Sequence, residues 1–127
     1  MERIVEGPLA VYQRHLNNGV LAYQYSAAAD RAVFYPRVVC PWTGTALEWR
    51  ESRGVGTVHA ITWYYPKDAA AYNVVLVDLD EGFRMMSQVE PSATVAADQV
   101  KIGMRVRLKM RVKEGADNVP VFELTGE

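Results

Sequence analysis

Groups that carry out chemistry are scarce in this sequence: its 127 residues include one cysteine, Cys40, and two histidines, His15 and His59. A single thiol excludes an internal disulfide and cannot alone supply the four ligands of a structural zinc. No Gly-x-Ser-x-Gly elbow, phosphate loop or His-Glu-x-x-His pair occurs, which removes the commonest hydrolase, nucleotide-phosphate and metalloprotease readings. No apolar run is long enough to cross a bilayer and no basic-then-apolar leader follows Met1, so a soluble, cytoplasmic protein with no membrane role is expected. Excess charge is lacking too, with a formal net charge of -1. A free-standing nucleic-acid binder usually has a basic domain overall, because phosphate neutralisation supplies most of its affinity.

Hydrophobic residues make up 50% of the chain and charged residues 23%, an ordinary globular balance. A chain of this length buries roughly two thirds of the surface its unfolded form exposes, so packing can hold it together. The most regular pattern lies at residues 100–113, where Ile102, Met104, Val106, Leu108, Met110 and Val112 alternate with Lys101, Gly103, Arg105, Arg107, Lys109, Arg111 and Lys113. Period two predicts a strand with one apolar face and one column of positive charge. Six of the 14 Lys and Arg residues fall in it, which leaves the rest of the chain acidic.

Elsewhere, residues 6–18 read as a short helix with Pro8 in its first turn, Leu9, Tyr12 and Leu16 on one stripe and Asn17-Asn18-Gly19 as its stop. Strands are expected at 20–25 and 33–35, then a knuckle-like loop at 36–44 around Cys40. Residues 47–52 and 57–65 read as one long strand bent at Gly54-Val55-Gly56. Strands at 72–79 and 83–89 flank the Asp80-Glu81-Gly82 turn, 91–99 is a connection, and 119–124 closes the chain. Counting the bent strand once gives five curved strands, the outline of an OB barrel in which the apolar face of 100–113 is covered by Val74, Leu76, Phe83 and Phe122. The fold class is therefore mainly β, with 1–46 as an N-terminal helix and ribbon and 47–127 as the barrel.

These signals, in this order, resemble the acyl-CoA-associated OB-fold family known as domain of unknown function 35, in which a helix and a rubredoxin-like zinc ribbon precede an OB barrel. The residues that carry the resemblance are 21–25, Phe34-Tyr35-Pro36-Arg37-Val38-Val39-Cys40-Pro41, Gly54-x-Gly56 with Thr62, Leu79-Asp80-Glu81-Gly82, Ile102-Gly103-Met104-x-Val106 and Phe122. The family's ribbon uses two C-x-x-C pairs, whereas this chain has Tyr25 and Ala28, then Cys40 and Thr43. With three of four ligands replaced, a degenerate ribbon without zinc or other cofactor is expected, packed by Tyr25, Phe34, Tyr35 and Trp42 in place of the ion.

The resemblance implies a non-catalytic accessory subunit that pairs with a thiolase-like enzyme, an aldolase or a hotdog-fold hydratase and helps to bind acyl-CoA. Phe34, Arg37, Trp42, Arg84, Arg105 and Arg107 are the candidate contacts, cations for phosphate and aromatics for a groove between ribbon and barrel. Exposed aromatics around the ribbon would form the patch for the partner, and homo-oligomerisation is left open. The alternative is a single-stranded nucleic-acid binder using the basic strand with Trp63, Tyr64 and Tyr65. As an enzyme the chain offers only Cys40 with His59 as base, and each has a simpler reading, a relict ligand and a strand side chain.

Overall fold

The structure, a computed structural model, describes residues 7–90 and 100–125. The connection expected at 91–99 lies outside the described residues. Among the described residues one helix, α1 (Pro8–Asn17), precedes nine strands: β1 (Ala22–Ser26), β2 (Arg31–Val33), β3 (Glu48–Glu51), β4 (Val55–Tyr64), β5 (Tyr72–Leu79), β6 (Arg84–Ser87), β7 (Val89–Glu90), β8 (Arg105–Arg111) and β9 (Val119–Leu124).

Helix α1 starts at Pro8, whose missing N–H costs nothing there, and ends where the Gly19 N–H donates to the Leu16 carbonyl with Gly19 at φ 81°. Tyr12 and Leu16 are buried as expected, but Leu9 is largely exposed because the stripe outruns the surface beneath it. The last turn of α1 is tied to the approach to β9. Asn118 donates through Nδ2 to the Leu16 carbonyl at 2.9 Å, and Gln13 Nε2 donates to the Asn118 carbonyl at 2.9 Å.

The strands form two sheets, β2-β1-β3 and β6-β5-β4-β8-β9-β7. The long strand expected at 47–65 is divided between them, since β3 pairs with β1 while β4 pairs with β5 and β8. Gly54, at φ 74°, makes this transfer. A Cβ there would lie 2.6 Å from that of Leu108, whose N–H donates to the Gly54 carbonyl. In the larger sheet β6 and β7 stand at opposite ends of the order yet are separated in the chain only by Gln88. Counted as one interrupted strand they make five, and the parallel β7–β9 pair completes an OB-fold connectivity. Asn73 fastens the interruption, with its buried amide donating to the Val89 carbonyl and accepting from the Val89 N–H.

Two expectations about the core are corrected. Val75, Val77 and Leu79 face inward with Phe83, Val106 and Phe122, whereas Val74 and Leu76 are only half-buried on the opposite face. In an apolar run such as 72–79 the sequence does not mark which parity is inside; the register Val77↔Val58 decides it. The alternation at 100–113 also overstates its strand. Residues 101–104 form a turn with Gly103 at φ 92°, and Ile102 and Val112, 66% and 70% exposed, cover nothing.

Candidate functional site

Between the two sheets lies a groove of about 260 Å³ whose walls come from both, with Arg31, Phe34, Arg37 and Trp42 on the ribbon side and Phe83 and Arg84 on the barrel side. Each wall has a local cause. On the ribbon side, buried Gln24 of β1 donates to the Arg37 carbonyl and accepts the Arg37 N–H, both at 2.7 Å, which fixes that loop while leaving the guanidinium exposed. Arg31 sits with its Cζ 3.6 Å from the Trp42 ring centroid, a cation–π pair that flattens the indole against the groove. On the barrel side, the tight turn at Gly82 (φ 97°) presents Phe83 and Arg84. Glu81 anchors that turn to the transfer segment by accepting from the Ser52 hydroxyl at 2.7 Å and the Arg53 N–H at 2.9 Å.

Phe34 and Phe83 stack at 4.9 Å and continue the aromatic contacts to Tyr12, Tyr23 and Tyr35. The cluster expected to pack the ribbon is therefore differently composed. Tyr25 lies beneath Arg50 and bonds Asp30, and Trp42 lies beneath Arg31.

Four of the six candidate residues, Phe34, Arg37, Trp42 and Arg84, thus meet in one groove, while Arg105 and Arg107 lie on β8 outside it. Sequence reasoning missed Arg31, Gln24 and Glu81, which lie far apart in the chain and carry no motif. Arg84 is held by Asp78, with Nε to Oδ1 at 2.6 Å, and that guanidinium keeps the Asp78 carboxyl below its usual range. Arg37 has no carboxylate partner among the described residues. The column on β8 is different: Arg105 pairs with Asp80, Arg107 with Glu123, and Lys109 and Arg111 with Glu90. Contact with Arg105 lowers the Asp80 carboxyl in the same way.

Cys40 and His59 are not brought together. His59 Nδ1 lies 3.3 Å from Asp78 and 3.2 Å from Arg84. Cys40 is buried, which pushes its thiol up, but hydrogen bonds from the Ser26 and Thr43 hydroxyls and from the Trp42 and Thr43 N–H groups outweigh this and hold it at about 7. Ser26, one residue from the expected knuckle position Tyr25, is therefore the residue that faces the remaining thiol. One thiol with two hydroxyls is a donor set that does not fit zinc, which takes thiolates, imidazoles and carboxylates. No group of three His, Cys, Asp or Glu suited to a metal occurs among the described residues.

Residues 49–111 match the family model described as the C-terminal OB-fold domain of ChsH2. A solved structure titled "Ltp2-ChsH2(DUF35) aldolase" is similar to this chain at 26% identity and TM-score 0.78, with 97% of this chain and 98% of that chain covered. The chain belongs to the DUF35 family of OB-fold proteins. A second solved structure, a DUF35-family protein of unknown function from Sulfolobus solfataricus, shares the fold at 13% identity and TM-score 0.62, over 90% of this chain and 82% of that one. Among curated proteins no match is found.

Around its ribbon the DUF35 chain exposes Tyr35, Val38, Val39 and Trp42, and at the tip of the β4–β5 hairpin Tyr64, Tyr65 and Tyr72. Trp63, by contrast, packs against the core. No helix is long and apolar enough to cross a membrane.

Proposed function

We propose that this chain is a non-catalytic accessory subunit that pairs in the cytoplasm with an acyl-CoA-handling enzyme, with the arginine groove receiving CoA phosphates. The observation that carries this reading is the likeness, over nearly the whole length of both chains, to the OB-fold component of a structure titled as an Ltp2–ChsH2 aldolase. That title favours an aldolase over a thiolase-like enzyme or a hydratase as the partner. The exposed aliphatic and aromatic residues at 35–42 are a surface of the kind that partner subunits cover.

The groove supports the ligand part. Arg31 and Arg37 are free of carboxylates among the described residues, and Trp42 and Phe34 offer apolar faces beside them. Catalysis is assigned to the partner because Cys40 and His59, the two side chains that could have formed a nucleophile and its base, have separate sets of contacts. Zinc has no part in this proposal; hydrogen bonds to Cys40 and the aromatic contacts of Phe34 order the ribbon in its place. The single-stranded nucleic-acid reading would need free cations on β8, where all four instead face carboxylates.

Affinity purification of the tagged full-length chain from its own host tests the assignment. A stoichiometric aldolase, thiolase-like or hydratase subunit is expected, and a chain that emerges alone at native concentration, with CoA unbound, would overturn it.

A further inference from the structure

The larger sheet has an opening. Strand β6 forms a ladder with β5 alone, and β9 pairs in register only further on, at Val89 and Glu90 of β7, reaching β6 only where the Ser87 hydroxyl bonds the Pro120 carbonyl. At this opening is a groove of about 370 Å³ with Tyr12, Met85 and Val121, all buried, as its floor and Tyr35, Met86 and Val119, all exposed, on its rim.

A guest strand would find little to bond there. The Met86 N–H already donates to the Tyr35 hydroxyl at 3.0 Å, the Pro120 carbonyl accepts from the Ser87 hydroxyl at 2.9 Å, and Pro120 has no N–H. The Tyr12 phenol stays uncharged, since burial and the neighbouring Tyr35 push it up to about 12. Arg111, the one cation at the groove among the described residues, is occupied by Gln88 at 2.8 Å and by Glu90. What such a surface accommodates is an apolar chain that needs no hydrogen bonds.

The position of this groove specifies what carries the chain. Tyr35 of its rim follows directly on Phe34, and Met86 lies two residues from Arg84 on the same exposed face of β6, while Phe34 and Arg84 line the arginine groove. The two grooves are therefore neighbours, with the Tyr35–Met86 hydrogen bond between them, one apolar and one bearing Arg31, Arg37 and Arg84. We propose that the opening between β6 and β9 holds the apolar chain of an amphipathic anion whose charged end lies in the arginine groove, with Tyr35 dividing the two. For its charged end this rests on the CoA reading above; the apolar site is additional to it.

Calorimetric titration of the full chain with CoA, with butyryl-, hexanoyl- and octanoyl-CoA, and with the free acids of the same lengths tests the proposal. Affinity is expected to rise roughly fourfold per added methylene until the groove is filled. Met86→Glu, at an exposed rim position, removes that dependence while leaving CoA itself unaffected; Val119→Glu on the opposite rim does the same and guards against a local folding defect. Thioesters binding far more tightly than free acids identify a phosphate-bearing head, free acids binding more tightly identify a carboxylate, and equal affinities, which give the charged end no part, overturn the proposal. Affinity independent of chain length, dependence that survives both rim variants, or no binding of any probe at millimolar concentration would overturn it. A captured partner with flat chain dependence sinks this inference alone, and a retained dependence without any partner sinks only the accessory-subunit reading.

Discussion

Two regions of this protein are rich in arginine, and they are built in opposite ways. On β8 each of Arg105, Arg107, Lys109 and Arg111 reaches a carboxylate of another segment, Asp80 of the turn after β5, Glu123 of β9 or Glu90 of β7, so the β8 part of the column that dominates the sequence is neutralised across the sheet. In the groove the arginines come from three separate segments, and among the described residues only Arg84 has a carboxylate partner, Asp78; Arg31 stacks on Trp42 and Arg37 faces solvent. A run of like charge is thus poor guidance to a binding surface, because cross-strand pairing acts perpendicular to the sequence. The cations open to an anion are those that folding collects without collecting their counter-charges.

The severest test of this contrast is Gly56, which lies in β4 between the two regions, paired with Val106 of β8 and Leu79 of β5. A Cβ there would approach the Asp78 carbonyl oxygen to 2.5 Å, and backbone cannot move aside cheaply. Gly56→Val is expected to cost about 3 kcal/mol in urea unfolding, disturbing both regions at once. Next in size, Arg37→Glu should weaken CoA binding roughly ten- to a hundredfold, the worth of one charge-assisted contact, while Arg107→Glu leaves it unchanged. Equal losses for the two variants would erase the distinction between the regions.

Smaller still is the effect of Arg105→Glu, which sets a like charge against Asp80 in place of two bonds at 2.7 Å. Because the pair is partly exposed and screened, only a modest fall in the urea midpoint is expected, recovered by adding Asp80→Arg. Least of all is the titration of Cys40 in the ribbon that carries the groove. Its folded value of about 7 lies below the ordinary thiol value, so its contribution to stability is complete above the unfolded value and is lost as pH falls through 7. The urea midpoint of the wild type should therefore gain on that of Cys40→Ser between pH 7 and pH 9, and parallel curves would show that the thiol is not held as an anion.

Much of the fold was legible in the sequence. Pro8 and Gly19 bracket the helix, the Asp80-Glu81-Gly82 turn is where it was expected, and the glycines at 54 and 56 mark where the chain changes sheets. Less could be read where the signal is symmetric. The apolar run at 72–79 is compatible with either face inward, and the alternation of 100–113 continues through a turn at 101–104 because alternation records residue type and not backbone shape. Of the candidate site, Phe34, Arg37, Trp42 and Arg84 were legible through the family resemblance, whereas Gln24, Arg31 and Glu81 act through partners 13, 11 and 28 or more residues away.

By itself the sequence determined what is local and periodic: a β-rich OB-type chain, the positions of its turns, and a single cysteine in its N-terminal part. Tertiary structure alone decided which cations meet carboxylates, that Ser26 faces Cys40, and that β6 and β9 leave an apolar opening beside the arginines. Those outcomes depend on strand register and on contacts between distant segments, and neither is written in the spacing of residues along one strand.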